Sequence, residues 1–292
     1  MRDGLAAAHA DLRAADDIQI VPIKTTGDAV QDRKLMEIGG KGLFTKEIEE
    51  ALLDGRIDCA VHSMKDMPTW LPDGLVIGAM LAREDARDAL LARIGTRIAE
   101  LPRGATVGTA SLRRQAQLLA LRPDLKVVPF RGNVETRLRK LAAGEADATL
   151  LAVAGLKRLG LLDKASAIIE SSEILPAVGQ GAIGIEIRAD DARLHALLAP
   201  LDHRATTLCV TAERACLAEL DGSCHTPIAA HAELAADGRS LRLRSLIALP
   251  DGSAVHRDER EGAASDPVAL GRAAGQRLKA AANPAFFAMA TA

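Results

Sequence analysis

One segment of this chain occurs twice, and that duplication limits the folds open to it. Asp17-Ile-Gln-Ile-Val-Pro-Ile-Lys24 returns as Asp124-Leu-Lys-Val-Val-Pro-Phe-Arg131. Each copy reads as a strand that breaks at its proline and ends in a cation. An apolar stripe at helical spacing follows each: Phe44, Ile48, Ala51 and Leu52 in the first, Val134, Leu138, Leu141 and Ala142 in the second. Both stripes stop at a glycine, Gly55 and Gly144, the residue that best tolerates a left-handed helix cap. Asp-x-x-apolar strands come next, at 58–61 and 147–150. Two similar α/β domains with a cleft between them are the expectation.

The copies differ where chemistry is expected. Aligned on the closing glycines, Asp66 falls opposite Gly155 and Lys65 opposite Ala154, so this carboxylate belongs to one copy alone. His62, Ser63, Lys65 and Asp66 follow a short buried strand directly, and the carboxyl ends of strands are where open α/β sheets bind ligands. The plainer reading is a turn aspartate capping the backbone before Pro68. Gly39-Gly-Lys-Gly-Leu-Phe44 offers a glycine-rich turn and Lys41 at a helix start, a weak anion-cradle signal without P-loop spacing. In the second copy, Thr106-Val-Gly-Thr-Ala-Ser-Leu-Arg-Arg-Gln115 puts Ser111 at a helix start and Arg113 and Arg114 in its first turn. Cations there oppose the helix dipole, which suggests placement for an anion. Arg131, Arg137 and Arg158 also lie near predicted element ends; solvated surface arginines are the alternative.

Two crossings join the copies, at 82–88 and at Leu175-Pro-Ala-Val-Gly-Gln-Gly-Ala182. They imply a discontinuous first domain, 1–81 with 182–200, around a second, 87–175. Beyond these lies a third, small α+β domain, 204–292, with a long helix, a Gly-Ser-Cys224 loop, alternating strands and a last helix. Counting back from the second copy puts the first copy's turn near Arg2, with its strand before Met1. Domain 1 is therefore expected to lack an inner strand, and the chain as written to be poorly stable and inactive.

The remaining composition excludes more than it assigns. At 292 residues, a net charge of −2 and 2% aromatics, nothing attracts or stacks on nucleic acid. No apolar run reaches the roughly 20 residues of a membrane span, and no secretory signal opens the chain. Four scattered cysteines fit a reducing cytosol and form no metal-type pair. Cys209 and Cys216 lie seven apart on one helix face and read as core. Cys224 in its loop can be exposed and reactive, although a lone loop cysteine is more often inert.

Taken together, these motifs carry a resemblance. Val61-His-Ser-Met-Lys-Asp-Met-Pro68, the Gly39 to Phe44 turn, Gly108-Thr-Ala-Ser-Leu-Arg-Arg-Gln115, Arg131-Gly-Asn133, Leu151-Ala-Val-Ala-Gly-Leu-Lys-Arg-Leu159, Leu175-Pro-Ala-Val-Gly-Gln-Gly181 and Gly222-Ser-Cys224 closely resemble the porphobilinogen deaminase family. The resemblance runs from about Ile18 to Arg260. It implies two periplasmic-binding-protein-like α/β domains with an active-site cleft and a small α+β C-terminal domain. It also implies a dipyrromethane cofactor, bound by a thioether to Cys224, onto which four porphobilinogen molecules are joined before hydroxymethylbilane is released. Asp66 matches the catalytic carboxylate. Lys65, Asp66, Ser111, Arg113, Arg114 and Arg131 would hold the cofactor, and Lys41, Phe44, Arg137, Arg158 and Gln180 the substrate, with no metal. A cytoplasmic monomer without nucleic-acid or membrane partners is implied as well. At Thr-Arg-x-Ser in the family's N-terminal turn this chain keeps at most Arg2, so an inactive short enzyme is one alternative. The other is a non-catalytic two-lobed anion-binding protein, which would explain the arginines but neither Cys224 nor an Asp66 in one copy only.

Overall fold

The computed structural model describes residues 1–14, 16–25, 45–220, 226–282 and 286. In chain order its helices are α1 (Arg2–Ala8), α2 (Lys46–Leu53), α3 (Leu112–Leu121), α4 (Val134–Ala142), α5 (Val153–Arg158), α6 (Ala192–Leu198), α7 (Arg204–Glu219) and α8 (Pro267–Ala281). The strands are β1 (Cys59–Ser63), β2 (Leu75–Met80), β3 (Asp88–Ala92), β4 (Thr106–Gly108), β5 (Lys126–Val128), β6 (Ala148–Ala152), β7 (Ala167–Ile169), β8 (Ile183–Arg188), β9 (Ile228–Leu234), β10 (Ser240–Ala248) and β11 (Val255–Ala263). Two compact units result: Met1–Arg83 with Ala182–Leu208, and Glu84–Gly181 with Cys209–Ala292.

The duplication is visible down to its hydrogen bonds. At the end of α2, Gly55 N–H donates to Leu52 O and Arg56 N–H to Ala51 O; at the end of α4, Gly144 donates to Leu141 O and Glu145 to Lys140 O. Both glycines have left-handed φ, 71° and 78°. Each pair is a Schellman cap, which closes a helix by reusing its last free carbonyls. The strand that follows then pairs antiparallel with the middle strand of three: β1 with β8, and β6 with β3. On the other side of that middle strand lie β2 and β7, again antiparallel.

The copies part at the next position. In the second unit the sheet continues as β5-β4-β6-β3-β7, with β4 parallel to both neighbours. In the first it is β1-β8-β2, with no described strand beside β1 on its other side. Residues 17–24, expected as a strand, are irregular, and Ile20 is 70% exposed. Their counterpart β5 is held by β4, whereas no described strand offers residues 17–24 a backbone to pair with.

Both faces of the five-stranded sheet are covered. Leu90, Val107, Leu118 and Leu150 pack on one side, and Leu91, Phe130, Leu151 and Leu156 on the other. The same unit carries the antiparallel sheet β11-β10-β9 with α8 packed on it. Gly271 and Gly275 let α8 meet α7 closely: a Cβ on Gly271 would stand 2.1 Å from Ala212 O. Cys209 and Cys216 are buried as expected, and burial pushes the Cys216 thiol up to about 12.

Candidate active site

In the first unit β1 leads into a single tight turn, Met64–Asp66. Met64 is buried and its N–H donates to Ala182 O, which fixes the turn to the start of β8. Ser63, the residue before the turn, makes no side-chain cap to it. Lys65 and Asp66 project outward and keep accessible surface. Enough protein surrounds the Asp66 carboxyl that its pKa is raised above the ordinary carboxylate range, with Lys65 and a hydrogen bond from Ser63 pulling the other way. Asp66 lines a pocket of about 400 Å³ with Thr25, Thr45, His62, Ser63 and Met67.

His62, which lines the pocket and which the sequence analysis placed at the strand's end, belongs to a buried polar cluster whose two carboxylates the sequence motifs left out. His62 Nε2 is 2.9 Å from Glu186 Oε2, between residues on adjacent strands. Glu49 reaches the same face from α2, and burial raises its pKa, a shift that neighbouring Glu186 reinforces and Thr45 and His62 oppose. Buried carboxylates at such short range are costly unless something charged or protonic compensates them.

In the second unit the arginines divide into two sets. Ser111 caps α3 by accepting from Arg114 N–H, as the sequence suggested. Arg113 and Arg114, however, are buried and share an internal counter-ion, Asp88, each at 2.8 Å through Nη2. Their Nη1 atoms donate to Leu175 O and Leu150 O. Gln180 Nε2 joins them, donating to Asp88 Oδ1 and Ala86 O. Burial works against ionisation of Asp88, but the two guanidiniums outweigh it and hold the carboxyl far below its usual range. From sequence, residues 82–88 read as a charged crossing, which gives Asp88 no role. The signal was there: Asp88 opens the apolar run of β3 and so enters the core with it.

Not all of this charge is neutralised. Arg114 Nε and Arg137 Nε are buried with no hydrogen-bond partner among the described residues. Burial, Arg114 and Arg131 together pull Arg137 down from the ordinary arginine range. Arg131 and Arg114 thus stand close enough to Arg137 to repel it, and two of the three carry a buried donor that no described residue accepts from. Arg158 is exposed at the end of α5. Lys41, Phe44 and Cys224 lie outside the described residues. Among those described, no cluster of three or more His, Cys, Asp or Glu could hold a metal, and no helix is long and apolar enough to cross a membrane.

Known proteins match the chain along nearly its full length. Residues 3–196 match the model for the porphobilinogen deaminase dipyromethane cofactor binding domain, and residues 207–280 that for the porphobilinogen deaminase C-terminal domain. The porphobilinogen deaminase of Paracoccus denitrificans is 59% identical over 98% of this chain and 90% of its own length. That of Nitrobacter hamburgensis is 55% identical over 99% and 90%, and the chloroplastic enzyme of Oryza sativa 53% over 98% and 80%. Among solved structures, a putative methionine-binding lipoprotein from Bacillus subtilis covers 55% of this chain and 76% of its own at 17% identity and a TM-score of 0.37.

Proposed function

The chain belongs to the porphobilinogen deaminase family, and on that premise we propose that Asp66 is its catalytic carboxylate, that Cys224 carries the dipyrromethane, and that Arg114, Arg131 and Arg137 receive carboxylates of cofactor and substrate. The activity is deamination of porphobilinogen and head-to-tail joining of four units on the dipyrromethane primer, followed by hydrolysis to hydroxymethylbilane. The idle buried donors of Arg114 and Arg137 carry the proposal, because every pyrrole of this substrate brings an acetate and a propionate. The chain's residues thus fit the cofactor. When bound, it would supply the free pyrrole carbon to which the first unit is joined, each later unit joining the one before it.

The protein's own part is mostly electrostatic. Loss of ammonia leaves positive charge on a pyrrole methylene, and a carboxylate beside it stabilises that charge and accepts the pyrrole N–H. Asp66 stands in a pocket able to do both, with Lys65 and Ser63 favouring its ionised form. Arg113 and Gln180 act through Asp88, holding Arg114 in place. Lys41, Phe44 and Arg158 complete the proposed substrate contacts. Residues 204–292 are proposed as a third domain carrying Cys224, and the protein as a monomer in the cytoplasm, a compartment that the absence of a disulfide among the described cysteines Cys59, Cys209 and Cys216 suits.

Intact-mass measurement of the purified protein tests the proposal. We expect a mass increment of one dipyrromethane that Cys224→Ser abolishes together with turnover. A bare chain that still turns over porphobilinogen would overturn it.

A further inference from the structure

The two copies of the repeat act as each other's control, and they disagree at one buried place. By the alignment that sets Gly55 on Gly144 and β1 on β6, His62 corresponds to Leu151, Glu49 to Leu138 and Glu186 to Leu91. In the second unit those three leucines pack in the core beside Phe130 and Leu156. The same architecture therefore closes with an apolar trio at this place. In the first unit it holds two glutamates and a histidine instead, in the one copy that also carries Asp66. Replacing well-packed leucines by buried ionisable groups is costly, so the fold alone gives no reason for them.

The geometry points to what they do. Gly184 stands opposite His62, and the ring reaches diagonally to Glu186, which is fully buried. A carboxylate can only accept, so Nε2 carries the hydrogen of that bond, and in the neutral ring Nδ1 keeps its lone pair. No described residue bonds Nδ1, and the side chain lines the same pocket as Asp66. Glu186 Oε1 and Glu49 Oε1 are buried with no hydrogen-bond partner among the described residues, which leaves acceptors ready for a proton. An imidazole oriented by a buried carboxylate, with its other nitrogen open to a pocket, is the arrangement that general bases use.

We propose that His62 is the proton-transfer group of this pocket and that Glu186 and Glu49 position and compensate it. The inference rests on the deaminase reading above. In deamination the C–N bond of the substrate's ammonium breaks with its electron pair leaving on nitrogen as ammonia. The pyrrole N–H of the resulting cation, which Asp66 faces, then gives its proton to Nδ1. The imidazolium, paired with Glu186, returns that proton to the ammonia, which departs as ammonium. Charge and atoms balance without another reactant. The groups that set the pH response face His62 from three elements among the described residues: Glu186 on β8, Glu49 on α2, and Asp66 on the turn after β1.

The test compares wild type, His62→Gln, Glu186→Gln and the triple variant Glu49→Leu, His62→Leu, Glu186→Leu, which copies the second unit's core. Cofactor content comes from intact mass, folding from thermal melts, and single-turnover ammonia release is followed against pH. The triple variant is expected to melt at least as high as wild type, to keep the covalent cofactor, and to lose about 10²-fold or more in ammonia release. His62→Gln is expected to lose a similar factor in kcat with KM within about threefold, and to lose one limb of the pH–rate profile. In ¹⁵N spectra of the labelled wild type, His62 should show the Nε2–H tautomer, a readout that does not depend on turnover. If His62→Gln or the folded triple variant releases ammonia within about threefold of wild type with the same pH profile, the inference is overturned. A drop in rate that merely follows a drop in melting temperature overturns it too. If wild type with full cofactor releases no ammonia, it is instead the deaminase reading that fails.

Discussion

Asp66 and Asp88 are both aspartates beside cations, yet their surroundings push them in opposite directions. Asp66 has protein packed around it and one lysine, so its charged form is disfavoured in the fold. A carboxyl with a raised folded pKa contributes stability that is complete below its unfolded pKa and is lost as pH rises through the folded one. Asp66→Asn should therefore melt as high as wild type or higher at neutral pH, while turnover falls about 10²-fold or more. Equal turnover would remove Asp66 from the mechanism. Asp88 has the reverse sign: its folded pKa is depressed by Arg113 and Arg114, so its contribution is present above the unfolded pKa and fades as pH falls. Asp88→Asn strands two buried guanidiniums and should cost about 3–5 kcal/mol in denaturant unfolding at pH 7. The gap to wild type should narrow in acid, and a gap independent of pH would refute the assignment.

At the scale of elements, close helix packing makes a prediction whose sign propensity alone would get wrong. Alanine for glycine in a helix normally gains about 1 kcal/mol. At Gly271 the added Cβ would meet the backbone of α7, at Ala212 O, so Gly271→Ala should instead destabilise by about 1–3 kcal/mol in urea titration. A rise in stability would mean that α7 and α8 can move apart freely. Elements of this kind also show what could be read from sequence. The repeat, both capping glycines, β1, β8, β10, α7 and α8 were legible because periodicity and glycine conformation are local signals. Residues 17–24 misled for the opposite reason: the pattern is a strand pattern, but pairing needs a neighbouring backbone, and that information is not in the segment. In the site, Asp66 stood out because the repeat supplied a comparison. Asp88 and the pair His62 and Glu186 did not, since their partners lie 25 to 124 residues away in sequence. Arg113 and Arg114 read from sequence as helix-start cations, but only the fold shows that Asp88 answers their charge from within.

Over the whole molecule a formal charge of −2 conceals a local excess of positive charge in the second unit. Arg137 sits partly buried among Arg114 and Arg131, and the structure gives its Nε no partner among the described residues. Asp88 answers the charge of Arg114, while Arg137 is pulled down by burial and its two guanidinium neighbours. If Arg137 receives the cofactor's carboxylates as proposed, their binding sets attraction against that repulsion and links cofactor loading to stability. That linkage reverses the sign of one mutation. In the unloadable Cys224→Ser background, Arg137→Gln removes a repelled charge and should raise the melting temperature or leave it unchanged. In the loaded protein the same substitution removes a charge-assisted hydrogen bond and should lower the melting temperature, slow cofactor attachment and weaken porphobilinogen turnover. The four melting temperatures form a double-mutant cycle whose coupling term measures the interaction between Arg137 and the bound carboxylates. A coupling of zero, with Arg137→Gln shifting both backgrounds equally, would show that this arginine serves the fold and takes no part in holding the cofactor.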